Sequence, residues 1–170
     1  MSDTTSVREP APPATGGADG EEGGARQVPD LDSLTALVGH RFPGGEYAVE
    51  PWRAWLVADT ALDTPDAARA HPLFAWLAGI GGWGTSWDDF FALFGADADD
   101  GPMFGEHETV LHRPLRVGDR YQVSGEVVSV DRKTGRSTGV FDIVGYRLSM
   151  HDGRELVATC YNSIVFPRGR

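Results

Sequence analysis

Hydrophobic residues change their spacing once along this chain. Between residues 30 and 95 they recur at intervals of three and four, which is typical of helices that bury one face. From residue 104 onward they alternate with polar residues, which is typical of strands. Helices followed by a run of strands predict an α+β fold.

Four helices are predicted before the change in spacing, the last of them a short helix that follows the N-cap candidate Ser86 and carries Phe90, Phe91, Leu93 and Phe94. Asp30 is an N-cap candidate for a short helix that stops at Gly39. Pro51 opens a second helix, on which Trp52, Trp55 and Leu56 share a face. The third, Pro72 to Ile80, is apolar on all sides, so other elements must enclose it.

The second half of the chain predicts three long antiparallel strands, preceded by a fourth near residues 104–112. Turn-forming residues separate the long strands at 133–136 and 151–154, where Asp152-Gly153 indicates a tight hairpin. A long antiparallel sheet that follows one fully apolar helix predicts that the sheet wraps the helix, as in a hot-dog fold. The last two strands are apolar on both faces in places, which favours a second covered surface such as a subunit interface.

Composition narrows the classes of function. Residues 1–29 are rich in Pro, Gly and acids and predict a disordered tail, so residues 30–170 form the single expected domain. A net charge of −10 argues against nucleic acid and anionic membranes as partners. Cys160 is the only cysteine, and no metal site is expected. No signal peptide or membrane-spanning stretch is recognisable, so a cytoplasmic protein is expected.

One segment resembles a known family. Phe104-Gly105-Glu106-His107-Glu108, followed by His112-Arg113-Pro114-Leu115-Arg116 and then Gly118-Asp119, is similar to the "HGEQ… YHRPLRAGD" segment of MaoC-like (R)-specific hydratases and dehydratases. The likeness is to the N-terminal, non-catalytic type of domain in that family, and it extends over roughly residues 35–168. It implies a hot-dog fold that pairs with a second hot-dog fold, with an acyl-thioester tunnel between them.

The resemblance also shows that this sequence departs from the family's catalytic motif. The catalytic type of domain carries Asp-x-Asn-Pro-x-His, in which the Asp and His hold the water that is added or removed. In one register the Asp falls on Asp59, but the His falls on Thr64, which cannot act as a base at neutral pH. In a second register Asp66 and His71 stand at the same spacing, again without the Asn and Pro.

Substrate contacts are implied by the resemblance as well. The central helix, with Phe74, Trp76 and Gly79, borders the acyl tunnel, although aromatic residues in an apolar helix are usually core. His107 lies on a strand that lines the pocket or the subunit interface. Arg113 and Arg116 are candidates to meet a CoA or phosphopantetheine phosphate, or else are ordinary surface arginines.

Three hypotheses follow. The first is an accessory subunit that shapes the tunnel for a catalytic hot-dog partner acting on an acyl-CoA or acyl-ACP, with no other cofactor. The second is a homodimeric hydratase or dehydratase that uses Asp66 and His71. The third is a binding module without catalysis, or a thioesterase, although the central helix contains no acid for the latter.

Overall fold

The computed structural model describes residues 27–169. The elements run in the order α1 (Leu31–Thr35), β1 (Gly45–Ala48), α2 (Pro51–Thr60), α3 (Phe74–Gly82), α4 (Trp87–Leu93), a 3-10 turn (Ala98–Asp100), β2 (Met103–Leu111), β3 (Arg120–Gly135), β4 (Gly139–Asp152) and β5 (Glu155–Pro167). The α+β prediction is confirmed.

The five strands form one antiparallel sheet in the order β1-β3-β4-β5-β2. The hairpin predicted from Asp152-Gly153 joins β4 to β5, because Asp152 pairs directly with Glu155 and Gly153 adopts a φ of 58°. Strand β2 returns to the outer side of β5 and leaves its own outer edge unpaired in the described chain.

Helix α3 contacts all five strands. Phe74, Ala75 and Ala78 are buried on its inner side, whereas Leu73 and Leu77 remain exposed on its outer side. The sheet therefore wraps an apolar helix as predicted, which is the hot-dog arrangement.

One detail of the helices differs from prediction. Helix α3 begins at Phe74 rather than Pro72, because His71 to Leu73 form a turn in which the Phe74 amide donates to the His71 carbonyl at 2.8 Å. On α2 the small residues Ala54 and Ala58 face the core. The bulky side chains Trp52, Trp55 and Leu56 therefore share an outward face.

The N-terminal segment is fixed where it enters the domain. Arg132 Nη2 donates to the Pro29 carbonyl at 2.9 Å, so the end of the predicted tail is anchored to β3. Residues 1–26, the rest of that tail, lie outside the described residues. Over residues 27–169, no helix has the length and hydropathy needed to cross a membrane.

Candidate active site

The chain reverses direction directly after α2, through a turn at Leu62. The Leu62 amide donates to the Asp59 carbonyl at 3.0 Å, and the Asp63 amide donates to the Ala58 carbonyl at 2.9 Å. This pair of bonds is the Schellman motif that often ends helices. Leu62 holds the left-handed position with a φ of 57°, and its side chain is 95% exposed. The turn carries Asp63 to the rim of an open cavity.

Asp66 is held within its own turn. Its Oδ1 accepts from the backbone amides of Ala68 at 2.7 Å and Arg69 at 3.2 Å, and its Oδ2 accepts from Arg69 Nε at 2.9 Å. The Ala68 amide, followed by the Arg69 side chain, lowers the pKa of the Asp66 carboxyl below its usual value. This carboxylate is therefore ionised at neutral pH, and both of its oxygens already accept hydrogen bonds.

His71 lies between a backbone amide and a second carboxylate. Its Nδ1 accepts from the Leu73 amide at 3.2 Å, which places the proton of the neutral ring on Nε2. That Nε2 is 3.9 Å from Oδ2 of Asp63. The His71 side chain is 23% exposed, whereas that of Asp63 is 61% exposed, so water reaches the pair.

These side chains border an open cavity of about 540 Å³. Asp63, Thr64, Asp66 and His71 line one side, and the end of β2 with His112 lines the other. The cavity brings together the acids and His71 of the loop before α3 with His112 at the end of β2. Within residues 27–169 no cluster of three or more His, Cys, Asp or Glu side chains is arranged to hold a metal ion.

A second cavity, of about 660 Å³, shares Arg69, Arg113 and Pro114 with the first. Arg69 and Arg116 face each other in an isolated antiparallel bridge. Residues paired in this way project to the same side with Cβ atoms about 5 Å apart. Both side chains are exposed, so the bridge creates a paired cationic position at the shared rim.

Arg113 is engaged by acids from the β4–β5 hairpin. Its guanidinium contacts Asp152 through Nη2 and lies 3.3 Å from Glu155 through Nε. It also lies over the Tyr121 ring at 6.0 Å from the centroid. Arg113 and Arg69 therefore both have acidic partners within the fold, Arg69 through Asp66 at 2.9 Å, and the side chains of Arg69 and Arg116 are exposed at the open rim.

A separate polar group lies on the inner side of β2. His107 Nδ1 is 2.8 Å from Asn162 Oδ1, and His107 Nε2 is 2.7 Å from Thr109 Oγ1. Thr109 Oγ1 is 3.5 Å from the buried thiol of Cys160. The His107 ring also lies against Trp76 of α3, with ring centroids 5.6 Å apart.

The segment that contains the loop before α3, α3 itself and β2 matches a known protein family. A family model described as "FAS1-like, dehydratase domain region" matches residues 62–159, more than half of the chain. The chain belongs to this family of MaoC-like hot-dog dehydratase domains. No functionally curated protein matches its sequence significantly.

Solved structures share the fold of this MaoC-like domain. The HadBC (3R-hydroxyacyl-ACP dehydratase) complex of Mycobacterium tuberculosis is 21% identical, with a TM-score of 0.59 over 76% of this chain and 96% of that chain. The ChsH1-ChsH2 complex of the same organism is 18% identical, with a TM-score of 0.59 over 82% and 91%. The fluoroacetyl-CoA thioesterase FlK is 17% identical, with a TM-score of 0.51 over 77% and 88%.

The residues predicted from sequence fall into different environments in this MaoC-like domain. Asp66 and His71 line the same cavity, but the carboxylate that faces His71 is that of Asp63. Asp59 stays on the exposed end of α2. Phe74 is buried against Tyr47, and Gly79 packs against the Leu148 side chain.

Sequence reasoning missed Asp63, Arg69 and Asn162. Asp63 stood inside the segment already compared with the catalytic loop, but the Schellman turn that directs it to His71 contains no Gly to mark it. Arg69 is brought to Arg116 by a single bridge between distant loops, for which the sequence carries no periodic signal. Asn162 is buried in β5 beside Ser163, and its position as the one amide side chain of that strand was the available signal.

Proposed function

We propose that this MaoC-like domain is an accessory subunit of an (R)-specific enoyl-thioester hydratase or 3-hydroxyacyl-thioester dehydratase. It pairs with a catalytic hot-dog chain, shapes the acyl-thioester tunnel and carries no complete acid–base pair of its own. The acyl-CoA or acyl-ACP is the substrate, and no further cofactor is required.

The observation that supports this proposal is the identity and bonding of the residues in the loop that lines the cavity. Thr64 lines the cavity at the position where the family register has its catalytic His. A general base needs a free lone pair within reach of the proton that it removes. The one lone pair of neutral His71 already accepts from the Leu73 amide, so this imidazole is held as a structural cap.

Strand β2 supports pairing with a second hot-dog chain. It is one edge of the sheet and is nine residues long, whereas the other edge, β1, has four residues. Met103, Phe104 and Val110 are exposed along β2. A long unpaired edge that exposes apolar side chains is a ready template for another strand. HadBC and ChsH1-ChsH2, which share the fold, are both complexes.

The paired arginines support a phosphorylated thioester carrier. Arg69 and Arg116 lie side by side at the rim shared by the two cavities. Guanidinium groups bind phosphate oxygens through paired hydrogen bonds, which favours an Arg pair over isolated cations. We assign the carrier's phosphate to this pair, with the acyl arm directed towards α3.

A second candidate function rests on the contact of His71 with Asp63. The 3.9 Å approach of Nε2 to the carboxylate is short enough for an ion pair once the imidazole is protonated. A homodimeric hydratase would then use His71 with Asp63 in place of Asp66, after His71 releases the Leu73 amide. The open, solvated cavity gives room for a substrate.

Hydration of crotonyl-CoA by the purified chain separates the two functions. The accessory function predicts no activity above that of His71→Asn, whose amide oxygen can still accept from Leu73. It also predicts that activity emerges when a hot-dog chain with an intact Asp-x-Asn-Pro-x-His is co-expressed and co-purifies. His112→Ala, which alters the opposite wall of the same cavity, is the matched control.

Turnover by the chain alone would contradict the accessory function. If that turnover is lost in both His71→Asn and Asp63→Asn and retained in Asp66→Asn and His112→Ala, the stand-alone hydratase is established instead.

A further inference from the structure

The outer edge of β2 presents backbone groups at regular intervals. The His112 amide donates to the Val157 carbonyl at 3.0 Å, so the backbone groups of His112 point towards β5. This direction alternates along an antiparallel strand, and the pairing with β5 is regular from His107 to Leu111. His107, Thr109 and Leu111 therefore direct their amide and carbonyl groups away from the sheet, where a further strand can bind them.

A bulge ends this regular edge. Two residues of β2, Gly105 and Glu106, together oppose the single residue Ser163 of β5. The Ser163 hydroxyl accepts from the Glu106 amide at 2.8 Å, and a Cβ at Gly105 would lie only 2.6 Å from that hydroxyl oxygen. Because a bulge interrupts the spacing of backbone groups at a sheet edge, a partner strand keeps regular pairing with β2 over residues 107–111.

The outer face of this edge is acidic. His107 packs on α3, so Glu108, the next residue, projects to the opposite face of the sheet, where it is exposed. Glu106 is exposed beside it, and within the described part of the chain neither carboxylate forms a hydrogen bond or an ion pair. Arg147 lies in the same cross-strand row as Glu108, but its guanidinium contacts Glu126. The edge therefore keeps a local negative charge.

Pairing with a second copy of the chain brings these acids together. Two identical antiparallel strands pair about a two-fold axis, and the register centred on Thr109 engages every free residue of the regular edge. That register places the two Glu108 side chains on a diagonal within reach of each other, and the register centred on Glu108 places them directly opposite. Centring on Val110 separates the acids but leaves only Thr109 and Leu111 paired. Like charges at cross-strand positions are destabilising, and each copy also carries a net charge of −10.

We propose that Glu108 prevents β2 from pairing with a second copy of this chain and selects a partner hot-dog chain whose edge strand carries Lys or Arg opposite it. The inference rests on the proposed function, in which a catalytic hot-dog chain pairs with this domain. A cation opposite Glu108 turns the repulsion into attraction, while the exposed Val110 on the same face offers an apolar contact. Specificity then comes both from the attraction to the partner and from the repulsion between identical copies.

Sedimentation equilibrium of the full chain, alone and mixed with Glu108→Lys, tests the charge without the catalytic chain. In a mixed dimer the introduced lysine lies beside Glu108 of the other copy, so we expect the mixture to associate about three- to tenfold more tightly than either protein alone. Asp131→Lys makes the same change of charge at an exposed position on β3, which β4 and β5 separate from β2, and is the matched control. Mixing it with the unaltered chain should give no comparable gain. Equal self-association of the unaltered chain and the Glu108→Lys mixture overturns the inference.

The complex with a hot-dog chain that has an intact Asp-x-Asn-Pro-x-His gives the second measurement. Glu108→Lys should weaken this complex by about tenfold, since an attractive contact becomes repulsive, and Asp131→Lys should leave it unchanged. A complex that is insensitive to Glu108→Lys overturns the inference and leaves the proposed function standing. If the unaltered chain forms no complex with such a partner, both the pairing in the proposed function and the selected partner are overturned.

Discussion

Arg168 Nε lies 2.7 Å from Asp142 Oδ2, and neither side chain is exposed by more than 4%. Arg132 Nε approaches the other oxygen of the same carboxylate at 2.7 Å. The two guanidiniums also donate to the carbonyls of Pro29 and Phe94, at 2.9 and 2.7 Å. One buried carboxylate on β4 therefore ties β3 and the end of β5 to the entry segment and to α4.

Removing the charge of Asp142 should destabilise the folded protein. In Asp142→Asn two arginines lose their counter-charge, and breaking a buried ion pair typically costs about 3–5 kcal/mol. We expect a loss in that range in the free energy of unfolding measured with urea. Glu46→Gln, which removes an exposed pair with Arg120, should cost less than about 1 kcal/mol. Equal losses in the two variants would contradict the assigned role of Asp142.

The same cluster predicts an acid-sensitive fold. Burial by itself raises the pKa of Asp142, but the hydrogen bonds and charges of Arg132 and Arg168 outweigh it and hold that pKa below its ordinary value of 3.8. A lowered pKa in the folded state means that the stabilisation is fully present above the unfolded pKa and is lost as pH falls below it. The urea concentration at the unfolding midpoint of the unaltered chain should therefore decrease as the pH is lowered below about 4. The contribution of Asp142 to this decrease should be absent in Asp142→Asn.

Much of the fold follows from local pattern. The change from a three-and-four spacing to alternation located α1, α2 and the long strands, and Asp152-Gly153 marked the β4–β5 hairpin. The orientation of α2 did not follow from hydrophobicity. Its tryptophans share a face as predicted, but that face is exposed, and α2 packs against the rest of the fold through Ala54, Val57 and Ala58.

The contacts of the candidate site could not be predicted from hydrophobic periodicity, because they depend on a bulge and on turns. Alternation along β2 cannot reveal a bulge at Gly105, so the shared contact of Phe104 and His107 with Trp76 was not foreseen. The spacing of Asp66 and His71 suggested a pair, but Asp66 bonds to its own turn. The acid that lies closest to His71 is set by the geometry of the preceding turn. Here Leu62, a non-glycine residue at a positive φ, directs Asp63 towards His71.

Leu62 should be replaceable with a gain in stability. A non-glycine residue in the left-handed region costs about 1–2 kcal/mol, and Gly is the usual residue at this position of a Schellman motif. Part of the gain is offset by the greater backbone freedom of Gly in the unfolded chain. Leu62→Gly should therefore raise the free energy of unfolding by about 0.5–1 kcal/mol.

Two controls isolate the backbone effect at Leu62. Leu62→Ala removes the exposed side chain but keeps a Cβ in the left-handed region, so its stability should stay within about 0.5 kcal/mol of the unaltered chain. Gly118→Ala imposes that strain at a φ of 92°, where an added Cβ meets no other atom, and should be destabilising. If Leu62→Ala raises the free energy of unfolding as much as Leu62→Gly does, the gain comes from removing the exposed hydrophobic side chain and not from relieving backbone strain.

The paired arginines should recognise phosphate. Arg69→Gln and Arg116→Gln each remove one guanidinium from the exposed pair, and we expect each to weaken binding of butanoyl-CoA by about tenfold, the lower end of the scale of one charge-assisted hydrogen bond. The double variant should lose little more than the stronger single variant, because a bidentate site fails when either partner leaves. Calorimetry at constant ionic strength measures these affinities.

Arg113 and Arg120 provide the contrast for that experiment. Arg113→Gln breaks contacts with Asp152 and Glu155, so it should lower stability without changing affinity for the thioester. Arg120→Gln removes an exposed cation on β3, opposite β1, and controls for net charge alone.

Butanoyl thioesters of dephospho-CoA and of pantetheine, which lack the 3′-phosphate and all phosphates respectively, identify the group that is bound. Sensitivity to Arg69→Gln and Arg116→Gln should vanish with the phosphate that the pair holds. If it persists with the pantetheine thioester, the pair binds the acyl or amide part of the ligand and the phosphate assignment is wrong.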